Sequence, residues 1–100
     1  MTYEKLDALG QLLGCYFHQD WPEEFDSEVA ALRSIIELEP RERISAGIAE
    51  IDALLSEALT EGELGTLLMD QAGCYFDPNS LGITNKQWLQ RVREEFARVV

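Results

Sequence analysis

Apolar residues recur along most of this chain at intervals of three and four, the spacing of one helix face. Leu6, Leu9 and Leu13, with Tyr3 ahead of them, predict a first helix over residues 3–13. Gly14 is expected to end it, because glycine is the usual residue just past a helix end. The stretch Gly14-Cys15-Tyr16-Phe17-His18-Gln19-Asp20-Trp21-Pro22-Glu23-Glu24-Phe25 has no such period and reads as an irregular, aromatic-rich loop. Pro22 argues against a helix running through Trp21. Asp26 or Ser27 then caps a second helix, with Glu28 in its first turn and Val29, Leu32 and Ile36, beside Ile35, as its buried face.

Pro40 opens a third helix, where its missing N–H costs nothing. Ile44, Ile48, Ile51 and Leu55 form its stripe, the longest in the chain. Thr60 and Glu63 make a capping box ahead of Leu64, Leu67 and Leu68. Gly73 to Gly82 breaks the pattern again, with Pro78, Asn79 and Ser80 as turn formers. Thr84 and Gln87 make a second capping box for a last helix over residues 85–98. Its stripe is Leu89, Val92, Phe96 and Val99, and Trp88 beside it needs a partner for its indole N–H. No segment alternates with period two for long enough to make a strand. The expected fold is all-α: a compact bundle of about five helices in one domain, 1–100. Its two loops carry the same four residues, Gly14-Cys15-Tyr16-Phe17 and Gly73-Cys74-Tyr75-Phe76.

Composition changes this picture mainly through charge. The 100 residues hold 19 Asp and Glu against 8 Lys and Arg, a formal net charge of -11. Such a chain is a poor ligand for nucleic acid or an anionic membrane, which bind clustered Lys and Arg. At 46% hydrophobic residues it is not a disordered acidic tail. The charge is uneven: residues 81–100 hold four of the eight bases and two of the nineteen acids, so the last helix is mildly basic. The N-terminal residues lack the basic start and apolar run of a signal peptide, and no apolar run approaches the roughly 20 residues of a membrane span. A cytoplasmic protein with reduced thiols is therefore expected.

One His and two Cys leave little material for chemistry. Cys15 with His18, and Cys74 with Asp77, share a two-residue gap and could offer two sulfurs, a nitrogen and an oxygen to zinc. The plainer reading takes both cysteines as small buried hydrophobes and His18 as a loop residue. Cys15 and His18 are also the one pair available for cysteine catalysis, which needs a thiolate, a base and an orienting group. No Gly-rich phosphate loop, GxSxG or HExxH motif is present. No enzyme activity and no cofactor are expected.

The segment from His18 to Glu28 is the best candidate for function. Asp20, Glu23, Glu24, Asp26 and Glu28 surround Trp21 and Phe25. Acids around a large aromatic suit a basic protein partner: charge speeds encounter and the aromatic supplies buried area. The bland alternative puts Trp21 and Phe25 in the core and leaves the acids merely solvated. Glu50, Asp52, Glu57, Glu61 and Glu63 are expected to extend the negative surface. These features fit an acidic adaptor or nucleic-acid mimic as well as an inhibitor of a basic enzyme.

The run Gly14-Cys15-Tyr16-Phe17-His18-Gln19-Asp20-Trp21 leads on to Phe25-Asp26. Further along come Ile48, Ile51, Asp52, Leu54 and Leu55, then Gly73-Cys74-Tyr75-Phe76 with Pro78, and Thr84 with Trp88-Leu89. Taken together, these resemble bacterial contact-dependent growth inhibition (CDI) immunity proteins over nearly the whole chain. The resemblance implies a small cytosolic antidote. It would bind and block the toxic C-terminal domain of a surface-delivered effector, often a nuclease. It carries over no catalytic residues, and because such proteins diverge at the toxin-contacting surface it assigns no contacts. It leaves the oligomeric state open.

Overall fold

The computed structural model describes residues 6–100, so Tyr3 and the expected start of the first helix lie outside the described residues. The fold is helical, with no strand among the described residues. Among the described residues there are six α-helical segments: α1 (Asp7–Leu9), α2 (Trp21–Glu24), α3 (Glu28–Leu38), α4 (Arg41–Ser56), α5 (Glu61–Asp70) and α6 (Asn85–Ala97). α1 runs straight into a π-helical turn, Gly10–Gly14, and a 3₁₀ turn, Pro78–Leu81, precedes α6.

The local signals act as their chemistry requires. Both capping boxes form: Thr60 Oγ1 accepts from the Glu63 N–H at 3.1 Å while Glu63 accepts from the Thr60 N–H at 2.9 Å. Thr84 and Gln87 repeat this at 3.0 and 2.9 Å. Each box satisfies N–H groups that have no partner inside the helix. Of the two candidate caps for α3, Ser27 is the one used, its Oγ accepting from the Ala30 N–H at 3.2 Å. α2 departs from the sequence expectation, which has no helix at Pro22. The proline stands in the first turn, where an N–H would have no intrahelical partner anyway.

α6 is the centre of the bundle, with α3, α4 and α5 packed around it. Trp88, Leu89, Val92 and Phe96 are all fully buried. α1 and the π turn pack against α4, with Leu9, Leu12 and Leu13 fully buried. The buried face of α4 is Ile44, Gly47, Ile51 and Leu54, with Ile48 and Leu55 half-buried. That face is rotated from the expected stripe because Gly47 lets two neighbours come close. A Cβ on Gly47 would lie 2.5 Å from Leu12 Cδ1 and 3.8 Å from Phe96 Cε2. On α3 the buried apolar residues are Ala31, Leu32 and Ile35, and Glu28 is buried beside them; Val29 is 42% exposed.

The two Gly-Cys-Tyr-Phe runs meet each other. The Tyr75 N–H donates to the Phe17 carbonyl at 2.7 Å, and the Phe17 and Phe76 rings lie 5.5 Å apart. A Cβ on Gly14 would overlap the Ala72 carbonyl oxygen and stand 3.7 Å from the Gly73 Cα. Gly14 is therefore needed for close backbone approach. It does not end a helix by turning left-handed: the positive-φ glycines among the described residues are Gly73 and Gly82. Phe17, Trp21, Phe76 and Trp88 interlock around this contact, with centroids 4.9 to 5.6 Å apart. Tilted and edge-on pairs at such distances are the favourable geometry for aromatic rings.

Candidate functional site

The loop before α3 is organised by His18. Its carbonyl accepts from the Trp21 N–H at 2.9 Å and its Nδ1 accepts from the Asp20 N–H at 3.1 Å. Its Nε2 meets Glu24 Oε2 at 3.0 Å. Asp20, Glu23, Glu24 and Asp26 are exposed around the single turn of α2. Residues 18–28 contain no Lys or Arg. The result is a short acidic ridge with its aromatics turned inward. Trp21 is half-buried, edge-on to Phe17 at 5.3 Å and to Phe76 at 5.6 Å. Phe25 packs on Tyr16 at 6.2 Å.

Two expected members of this surface change place. Trp21 is first a wall of the aromatic cluster and not a projecting anchor. Glu28 leaves the surface altogether: it is 5% exposed, its Oε2 accepts from the Trp88 indole N–H at 3.0 Å, and Arg91 stands 3.7 Å from its Oε1. A buried indole N–H needs an acceptor, and the first turn of α3 supplies it.

Several acids expected to add negative surface are engaged internally. Glu50 on α4 accepts from the Ala8 and Leu9 N–H groups at 3.0 and 2.9 Å, capping α1 from 42 positions away in sequence. Glu61 does the same for α6, accepting from Asn85 and Lys86 at 2.8 and 3.1 Å. Asp52 takes a two-pronged contact from Arg93, at 2.5 and 3.1 Å, tying α4 to α6. The Arg93 hydrogen bonds hold the Asp52 carboxyl below the usual carboxylate range. Glu39 accepts from Arg43 and from the Tyr16 hydroxyl, both at 2.8 Å. Burial, then the bond to Glu39, pushes the Tyr16 hydroxyl up to about 12.

The metal reading does not assemble among the described residues. Cys15 is exposed and Cys74 buried, and both are free thiols. His18 uses both ring nitrogens on Asp20 and Glu24, and Asp77 Oδ1 accepts from the Asn79 N–H at 3.0 Å. Among the described residues no group of three or more His, Cys, Asp and Glu is placed to hold a metal ion. Burial pushes the Cys74 thiol up to about 12 from a usual value near 9.0. Folding therefore holds this proton. The contribution to stability is whole below pH 9 and is lost as pH rises from about 9 to about 12. A thiol-reactive dye at pH 8 is expected to label Cys15 alone in the native protein and both cysteines after denaturation. Rapid labelling of two thiols in folded protein would contradict the buried position of Cys74.

One surface was missed by sequence reasoning. A groove of about 590 Å³ lies between α5 and the 3₁₀ turn, lined by Gly62, Gly65, Met69, Asp70, Tyr75 and Asp77 among others. Met69 and Tyr75 are 49% and 48% exposed, with acids to either side. Phe76, next to Tyr75, packs on Trp21, which ties this loop to the one that carries the acids. Exposed apolar area beside carboxylates is what the ridge itself lacks. The duplicated loop was the available signal: of its two tyrosines, Tyr16 is half-buried and Tyr75 is exposed.

The family model described as CdiI immunity protein matches residues 5–96. Among solved structures, the chain is similar to one in the crystal structure of the CdiA-CT/CdiI complex from Y. kristensenii 33638. The two are 28% identical, the match covers 89% of this chain and 95% of that one, and the TM-score is 0.81. No curated protein matches.

Proposed function

Since the chain belongs to the CdiI immunity protein family, we propose that it binds a cognate CdiA-CT-type toxin domain and neutralises it by stoichiometric contact, without turnover of its own. The observation that carries this reading is the match, over 89% of this chain and 95% of the other, to one chain of a crystallised CdiA-CT/CdiI complex. The docking face we assign has two parts. Asp20, Glu23, Glu24 and Asp26 supply a negative field, and Tyr75 with Met69 supplies apolar anchorage. Their toxin partner would be basic, as a nuclease with a phosphate-binding cleft is. The site of action would be the cytoplasm. No described helix is long and apolar enough to cross a membrane.

The decisive test is co-expression. The C-terminal toxin domain encoded immediately upstream is induced in a susceptible host with and without this protein. Growth restored only by this protein establishes immunity. Death in both cultures removes that domain as the partner and favours an acidic adaptor. The electrostatic half is tested separately with purified proteins. Association should approach 10⁸ M⁻¹s⁻¹ on an order-of-magnitude scale at low salt and fall steeply as salt rises. The double change Glu23→Lys, Glu24→Lys should slow it roughly ten-fold while leaving the melting temperature within a few degrees, because both side chains are exposed. An association rate insensitive to both salt and this charge reversal removes the ridge from the interface.

A further inference from the structure

The face of α3 predicted from its spacing to be buried is partly open. Val29, Leu32 and Ile36 line a groove of about 440 Å³ between α3 and α6, with Val99 also in its wall. Arg33, Arg91 and Arg98 stand along it. Three of the eight basic residues of a chain with net charge -11 thus border one apolar trough. Arg91 on α6 and Arg98, the helical C-cap residue that follows it, are two turns apart and so share a face. Glu95, between them, is the one acid lining the groove, 3.5 Å from Arg98 Nη1, and the buried Glu28 carboxylate stands 3.7 Å from Arg91 Nη1. Arg33 faces them from α3. All three arginines are exposed.

We propose that this groove is a docking site for an amphipathic helix that carries carboxylates along both edges of its apolar face. The trough takes the apolar residues, and the arginines on opposite banks pair with acids on opposite edges. Arginine suits this role because its planar fork engages a carboxylate through two hydrogen bonds. A second copy of the chain is opposed by the mutual repulsion of two bodies of charge -11, so the occupant is a foreign protein segment. Its charge is opposite to that of the partner the acidic ridge attracts. The ridge ends at Asp26 and the groove begins at Val29, so surfaces of opposite sign lie side by side.

The inference stands apart from toxin binding, and its test uses no toxin. The probe is a fluorescein-labelled helical peptide of about 14 residues, roughly four turns. It has leucines at i, i+4 and i+7 and glutamates on both flanks. Saturable binding is expected, with amide shift changes in the nuclear magnetic resonance spectrum confined to α3 and α6. The double variant Arg33→Glu, Arg98→Glu should weaken binding at least about ten-fold, and Val29→Asn should weaken it too. All three positions are exposed, so the variants are expected to fold, and circular dichroism checks this. A peptide with lysines in place of the glutamates should not bind. Absence of saturable binding, equal binding of the lysine peptide, shift changes elsewhere, or indifference to the arginine reversal would each overturn the proposal.

Discussion

Replacing Gly14 with alanine is expected to destabilise the protein by about 3 kcal/mol or more, the upper end of the overpacking range. The new methyl group would overlap the Ala72 carbonyl oxygen, with the Ala72 carbonyl carbon 3.3 Å away. The obstacle is backbone, and it is pinned. Gln71 donates to Leu67 at 2.9 Å, Gly73 to Met69 at 3.1 Å and Cys74 to Leu68 at 2.9 Å. On the other side, Gly14 closes the π-helical turn that places Leu12 and Leu13 in the core. Relief needs the two Gly-Cys-Tyr-Phe segments to part, which opens the Phe17–Phe76 contact and the hydrogen bond from Tyr75 to Phe17. For a chain of this size the loss corresponds to a fall in Tm of roughly 12 °C or more. Gly62→Ala is the control. Gly62 is exposed on α5 with only Thr60 Oγ1 near, at 4.0 Å, so alanine there should be neutral or stabilising by about 0.5 kcal/mol. Urea unfolding monitored by circular dichroism reads both. Equal midpoints for Gly14→Ala and the parent would mean that the two segments do not approach as described.

What the sequence made legible, and what it hid, divides along one physical line. Signals that act within a few residues were readable: both capping boxes, the turn at Pro78, and the apolar spacing of α6. Signals that depend on what a face meets were not. Gly47 belongs to the buried face of α4, yet it has no side chain to reveal this; its smallness is explained only by Leu12 and Phe96. The rotation of α3 that opens Val29 comes from the docking of Ile35 and Ala31, and no periodicity encodes it. Acids gave the same difficulty. Glu50 and Glu61 look like surface carboxylates in sequence, but each caps a helix far along the chain. The echo of Gly-Cys-Tyr-Phe was visible as a repeat, while its sense was not. Its glycines and phenylalanines face each other across one contact. Its cysteines and tyrosines, freed from that contact, differ in exposure. The proposed docking face is the least legible part, since four acids close together announce charge but say nothing of the apolar area that must accompany it.

Glu28 separates the two roles that an acid in this chain can play. Glu28→Ala should cost about 2–3 kcal/mol, because it leaves the Trp88 indole N–H buried with no acceptor. A fully buried ion pair would cost more to break, about 3–5 kcal/mol. Arg91 is 47% exposed and 3.7 Å away, so water screens its share. Glu28→Gln keeps an oxygen for the indole and removes only the charge, and should cost about 1 kcal/mol. Denaturant midpoints and the tryptophan emission of the two variants measure the difference. Equal losses for alanine and glutamine would assign the stability to the charge and not to the indole bond. The same glutamine variant bears on the docking face. Glu28 comes after Asp20, Glu23, Glu24 and Asp26 in sequence but is buried against α6 while they are exposed. Glu28→Gln should therefore leave association with a toxin domain within about two-fold of the parent, while reversal of Glu23 and Glu24 slows it roughly ten-fold. A slowing by Glu28→Gln as large as that of the surface pair would return Glu28 to the interface, and the acidic ridge would then have to open on binding.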